Sequence, residues 1–192
     1  MGGPAQIRDG NAVDDAALVR RSKRGDRHAF GLLVSRYQAP VYRVVRGILA
    51  DAAESEDVAQ EVFLKAFANL RNFRGDSGFF TWLYRIGVNE ALRARKRRPA
   101  APPVESLPEV EAPRPEEPAE EGPSPAALQR LLGKLSDEFR AIVVLRDLEG
   151  MSYQEIAETL EIPLGTVESR LFRARRDLRE LWRTMKEKSN AL

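Results

Sequence analysis

Ser152–Arg183, SYQEIAETLEIPLGTVESRLFRARRDLRELWR, decides how the rest of the chain is read. Ser152 with Glu155 three residues on has the spacing of a capping box, so a helix starts there. Ile156, Ala157 and Leu160 give that helix one apolar face. The turn falls at Glu161-Ile162-Pro163. Proline lacks the N–H that a first helical turn leaves unused, so the second helix should begin near Pro163 or Leu164. Val167, Leu171, Ala174 and Leu178 recur at helical spacing and should face inward, leaving Ser169, Arg170, Arg173, Arg176 and Arg179 outside. Two such helices have the form of a helix-turn-helix, whose second helix enters the DNA major groove. Arginines on it bond guanine in bidentate fashion or hold phosphates. The same spacing also suits a surface helix with a solvated charge stripe. Against the DNA reading, Glu161 stands where such turns often carry glycine.

The totals remove other chemistries. Among 192 residues there is no cysteine and one histidine, His28. Disulfides, thiol chemistry and nearly every zinc site are excluded, and no metal, cofactor or catalytic residue is expected. A lone histidine without a partner is read as structural. Ala141-Ile142-Val143-Val144-Leu145 is among the longest apolar runs, far short of a membrane span. The start, MGGPAQIRDGN, lacks the apolar core of a signal peptide, so a cytoplasmic protein without membrane insertion is expected. Net charge is only +2, but Arg85–Arg98 holds six basic residues against one acid, and Glu105–Glu121 holds seven glutamates against one arginine. Basic helices of this kind point to a polyanion such as nucleic acid.

Taken in order, the chain reads as all-α, with two small helical domains joined by a disordered Pro/Glu-rich linker. Residues 1–13 are Gly-rich and polar, and expected to be disordered. From Asp14 the pattern is helical, and Gly25 should stop the first helix before Asp26 caps the next. Pro40 falls inside that second helix and should kink or split it. Asp51 and Glu54 cap a third, whose buried side is read as Ala59, Val62, Phe63, Ala66, Phe67 and Leu70. Asp57, Gln60 and Glu61 lie on its exposed side, without the company an acid/base or metal site needs. The loop Asn72–Gly78 contains Gly75-Asp76-Ser77-Gly78, the string of a serine-protease nucleophile loop, but its helical surroundings exclude that geometry.

Helix 79–98 then carries Phe80, Leu83, Gly87 and Ala91 inward and ends in five basic residues. Aromatic rings beside cations suit single-stranded DNA, where bases stack on rings and cations track phosphates. Phe80 and Trp82 are assigned to the core, and Phe73 is the best candidate for an exposed ring. Residues 99–125 hold nine of the twelve prolines and form the linker. Ser124-Pro125 reopens helix, and residues 126–186 form the C-terminal domain with the helix-turn-helix.

Several of these segments together resemble one family. Ser55-Glu56-Asp57-Val58-Ala59-Gln60-Glu61-Val62-Phe63, Phe73-Arg74-Gly75-Asp76-Ser77, Thr81-Trp82-Leu83-Tyr84-Arg85-Ile86 and Gly165–Arg175 are similar to the extracytoplasmic-function (ECF) sigma factors of bacterial RNA polymerase. The resemblance implies a non-enzymatic factor that brings core polymerase to promoters and assists their melting. It makes 14–98 the domain for the polymerase clamp and the minus-ten element, and 126–186 the domain for the minus-thirty-five element. Asp57, Gln60 and Glu61 would meet the β′ clamp. Phe73 and Asn89 would capture a base flipped from the minus-ten element, with Arg93 and Lys96 on the backbone. Arg146, Thr166, Ser169, Arg170, Phe172 and Arg173 would meet the minus-thirty-five element. Glu168 stands where relatives often carry a basic residue. Core polymerase (β′ clamp, β flap), promoter DNA and an anti-sigma factor are the implied partners, with the chain monomeric in the holoenzyme.

The 27-residue linker reaches ~80 Å at ~3.1 Å per residue. Two turns of DNA between elements span ~70 Å. The rival reading is an operator-binding helix-turn-helix regulator that acts as a dimer without polymerase. Changing Glu116, Glu117, Glu120 and Glu121 to lysine is expected to weaken holoenzyme assembly, because the resemblance runs the linker along the RNA path. Co-elution with core polymerase measures it, and unchanged binding refutes the role given to these glutamates.

Overall fold

Apolar positions at helical spacing become four helices in the N-terminal part: α1 (Ala12–Lys23), α2 (Arg27–Leu49), α3 (Ala52–Asn69) and α4 (Phe79–Arg97). The structure, a computed structural model, describes residues 12–97 and 123–190. The expected disorder of the linker and of the segment before Ala12 lies outside the described residues. Helix α1 begins at Ala12, inside the stretch 1–13 read as unstructured. Gly25, at φ +97°, ends the turn after α1 in a conformation that L side chains rarely adopt. Asp26 then caps α2 by accepting from the Ala29 N–H at 3.0 Å. Asp51 caps α3 in the same way, from the Glu54 N–H at 2.9 Å.

Pro40 neither ends nor divides α2, which is one helix of 23 residues. The ring removes one backbone hydrogen bond, but Tyr37 and Val41 on either side are buried and hold the helix in register. Asp15 joins α1 to α2: its buried carboxylate accepts from Arg36 and from the Tyr37 hydroxyl. Burial, and then the Asp15 hydrogen bond, push the Tyr37 hydroxyl far above its usual range.

The C-terminal part contains α5 (Pro125–Lys134), α6 (Asp137–Val143), a wide π turn (Val144–Leu148), α7 (Tyr153–Leu160) and α8 (Leu164–Asn190). Ser124 caps α5 with Pro125 as its first residue. Ser136 caps α6 and so separates that helix from the leucine-rich run Leu128–Leu135.

The two parts do not stand apart. Helix α2 packs on α6 and the π turn, and α4 packs on α7. One buried core passes through both, with Ile48, Ile142, Val144, Leu145 and Met151 fully enclosed. Gly47 marks the closest approach, since a Cβ there would lie 2.8 Å from Val144 Cγ2. Glu149 is 0 % exposed and accepts from Arg43 Nε at 2.8 Å and Nη2 at 2.9 Å. The Tyr84 hydroxyl donates to the same carboxylate at 3.2 Å.

Buried Arg140 closes a second junction. It donates to the carbonyls of Leu132 at 2.6 Å and Ile48 at 2.8 Å, near the C-terminal ends of α5 and α2. A cation suits those ends, where unpaired carbonyls gather negative potential. Arg85 bonds Glu161 at 2.9 Å and the Glu158 carbonyl at 2.5 Å, and Arg95 bonds Asp137 at 2.9 Å.

Removing Arg43 takes the Arg43 cation away from a buried carboxylate and leaves it the Tyr84 hydroxyl bond. Arg43→Ala should therefore destabilise the joined form by about 3 kcal/mol, the low end for breaking a buried pair, because Arg43 itself is half in water. Gly47→Leu should push the two parts away from each other. Small-angle scattering is expected to show a larger radius for both variants with helical content preserved; an unchanged radius would show that these contacts do not hold the parts together.

Candidate nucleic-acid interface

The helix-turn-helix forms as its sequence dictates. Ser152 and Glu155 complete the capping box, with the Glu155 N–H on Ser152 Oγ at 3.2 Å and the Ser152 N–H on Glu155 Oε2 at 2.7 Å. Ile156, Val167, Leu171 and Ala174 close the space between α7 and α8. Glu161 takes the left-handed conformation, φ +55°, that glycine would enter without strain. The Ile162 N–H bonds the Ala157 carbonyl at 3.1 Å and seals the end of α7. Helix α8 starts at Leu164, where the Pro163 carbonyl accepts from the Thr166 and Val167 N–H groups.

On the outer face of α8, Ser169, Arg173 and Phe172 point to solvent, and the Phe172 ring is 68 % exposed. Arg173 has no ion pair among the described residues. Thr166 is half-buried beside them, its carbonyl accepting from Ser169 Oγ at 3.2 Å. Two candidates lie differently. Arg170, expected outside, turns to Glu138 of α6 at 2.9 Å, because its place on the helix looks back toward that acid. Arg146 is pinned by the Met151 carbonyl at 2.6 Å and stacks over the Tyr153 ring at 5.1 Å. Arg175 pairs with Asp147 and fastens α8 to the π turn.

Helix α4 carries a second surface. Trp82, Ile86, Asn89 and Arg93 recur along one side and, with Lys65, Asn69, Asn72 and Glu90, enclose a hollow of about 350 Å³. Asn89 is exposed at its edge and Trp82 half-buried. Phe73 is not the exposed ring its glycine-bearing loop suggests: it is 9 % exposed. Its ring lies 5.0 Å from Trp82 and 6.0 Å from Phe79, with Lys23 Nζ 5.6 Å from its centroid. Lys23 also donates to the Phe73 carbonyl. Phe73 therefore props Trp82 from behind. The sequence signal for this surface is the spacing of Trp82 and Asn89, two turns apart on one helix face. Lys96 is exposed beyond them, and Arg93 reaches back to Glu90 at 2.7 Å.

Glu90 is the acidic anchor of this hollow, buried between Lys65 at 2.6 Å and Arg93. Burial alone would raise its carboxyl. The Lys65 hydrogen bond and charge, together with Arg93, outweigh that and hold it below the usual carboxylate range.

On α3, Asp57, Gln60 and Glu61 are exposed, as their spacing implies. Gln60 also lines an apolar groove of about 660 Å³ between α2 and α3, with Val34, Tyr42, Phe63 and Leu64. Phe67, read from sequence as core, is 47 % exposed and rests on Phe30 at 4.9 Å. Among the described residues no group of metal-ligating side chains occurs, and no helix is long and apolar enough to cross a membrane.

The chain matches Sigma-70 region 2 over residues 33–100 and Sigma-70 region 4 over residues 126–178. It is 42 % identical to the RNA polymerase sigma-H factor of Pseudomonas aeruginosa, over 84 % of this chain and 90 % of that one. It is 41 % identical to the ECF RNA polymerase sigma-E factor of Escherichia coli, over 85 % of this chain and 91 % of that one. The solved structure of CnrH in complex with the cytosolic domain of CnrY is also similar, at 30 % identity and a TM-score of 0.70, covering 88 % of this chain and 97 % of CnrH.

A carboxylate whose folded pKa is depressed stabilises the fold above its unfolded pKa, and that contribution is lost as pH falls through the folded value. Glu90→Gln should thus cost about 1.5–3 kcal/mol near neutral pH, the worth of hydrogen bonds to a charged group, and progressively less in acid. Denaturant midpoints across pH check this; a difference from wild type that does not shrink in acid would contradict it.

Proposed function

The chain belongs to the ECF sigma factors of RNA polymerase, and we propose that it performs their work through three surfaces. It directs core polymerase to promoters and assists opening of the DNA. Helix α8 reads the minus-thirty-five duplex through Thr166, Ser169, Phe172 and Arg173. Arg146 and Arg170, held by internal partners here, serve it by setting the loop and α6 against α8. The hollow on α4 receives a base unstacked from the minus-ten element. Asn89 offers both donor and acceptor, Trp82 a stacking ring, and Arg93 and Lys96 hold the adjoining phosphates. Unstacking costs a few kcal/mol, which such contacts must return. Asp57, Gln60 and Glu61 meet the β′ clamp beside the apolar groove, and the C-terminal part meets the β flap.

The observation that carries this reading is the presence, in one chain, of an open helix-turn-helix face and a polar hollow backed by an aromatic stack. The chain makes and breaks no covalent bond in this role, works in the cytoplasm and is monomeric in the holoenzyme. An anti-sigma partner fits the same reading, and the similar CnrH is solved with the cytosolic domain of CnrY.

Opening of the two parts is a necessary step. Helix α4 is about 28 Å long at 1.5 Å per residue and touches α7, so its DNA surface and that of α8 lie well within ~70 Å of each other. Both promoter elements are engaged only after the contacts of Glu149, Arg140 and Arg85 release.

Asn89→Ala is expected to bind core polymerase normally yet fail to open the promoter, read as loss of permanganate-reactive thymines. Arg173→Ala should weaken duplex binding and flatten its salt dependence by about one unit if it holds a phosphate. Persistent opening by Asn89→Ala would remove the hollow from the mechanism. Tight dimeric binding to promoter DNA without polymerase would favour the operator-binding regulator instead.

A further inference from the structure

We propose that Glu168 is a specificity-determining residue of α8, selecting cytosine at one position of the upstream promoter element beside a thymine contacted by Phe172. The proposal rests on the reading of α8 as the recognition helix. Glu168 lies in the second turn of α8, exposed, with exposed Phe172 one turn further on. Both line a hollow of about 790 Å³ along the helix, with Tyr153, Arg175 and Arg179.

What distinguishes Glu168 is that its carboxylate is unengaged. The other described acids of α8 each face an arginine: Asp177 meets Arg176, and Glu180 and Glu187 meet Arg183. Acids packed against the helix are also paired, Glu138 with Arg170 and Asp147 with Arg175. Glu168 has neither ion pair nor hydrogen bond among the described residues, although Arg175 borders the same hollow. All of its acceptor capacity faces outward.

A carboxylate pressed toward DNA is repelled by phosphates unless it finds a donor. In the major groove guanine shows only acceptors, and thymine shows an acceptor and a methyl group. Adenine sets its N7 acceptor beside its amino group. Cytosine offers an N4 amino donor and, on its own major-groove edge, no acceptor, and a glutamate takes that donor. The Phe172 ring, uncovered by protein, suits the thymine methyl. The four residues from Glu168 to Phe172 advance about 6 Å, so the two side chains reach base pairs one or two steps apart.

The test uses full-length protein reconstituted with core polymerase on a promoter library randomised in the upstream element. Wild type should enrich cytosine at one position next to a thymine-preferring one. Glu168→Ala should lower that cytosine preference about tenfold and leave distant positions unchanged. Glu168→Arg should convert the preference to guanine at the same position. Equal preference in all three proteins would overturn the proposal, as would a Glu168→Ala that binds every sequence more tightly by the same factor, the mark of a carboxylate that only repels phosphate. Arg173→Ala, run in parallel, separates two failures. If it weakens binding while the Glu168 variants do nothing, the recognition helix stands and only Glu168 is misassigned. If it too changes nothing, the reading of α8 fails with it.

Discussion

A carboxylate with no exposed surface has to be bonded, and Glu149 is bonded from the opposite half of the molecule. Arg43 of α2 and Tyr84 of α4 close on it, so one group joins two N-terminal helices to the turn before α7. Around it the apolar contacts are tight, with Gly47 admitting Val144 where any larger residue would collide. The polar contacts add orientation more than strength, since a buried ion pair recovers little beyond its own desolvation. An interface so composed fixes one geometry without making it permanent. Its arginines and glutamates hydrate readily once parted, which wholly apolar faces of equal area do not.

On the proposed function, that balance suits a chain whose two DNA surfaces lie farther apart in action than they do here. Joined, the protein keeps the outer face of α8 uncovered: Ser169, Phe172 and Arg173 are as exposed as a duplex requires. Helix α4 is more constrained, because Arg85, close before Asn89 in the chain, is committed to α7. The joined form therefore leaves the proposed duplex-reading face available while α4 is still held on its other side.

How much of this was legible in the sequence depends on the reach of each interaction. Caps are local: Asp26, Asp51, Ser124 and Ser152 act on backbone groups three residues away, and each is visible in the chain itself. The helix-turn-helix is legible for the same reason. The fate of Phe73 is not, because its neighbours Lys23, Phe79 and Trp82 come from outside its loop, whose glycine argues for exposure. Glu149 sits in a polar stretch, Asp147-Leu148-Glu149-Gly150, and its partner Arg43 is 106 residues earlier. Arg140 gives no outward sign of burial either. Periodicity shows that each part has an apolar face; it does not show that the faces of the two parts are shared. Pro40 is the converse case, where a strong local signal for a break yields to burial on both sides.

Glu161 ties these themes together. Its backbone is held in a conformation that favours glycine, and its side chain is tethered by Arg85 of the other half. When the halves separate, the tether goes and the backbone strain stays. The joint between α7 and α8 is then less supported than before, at the moment when, on the proposed function, α8 settles into a groove of variable width. A glycine would have made that joint indifferent to the rest of the molecule; glutamate ties its stiffness to whether the two halves are in contact.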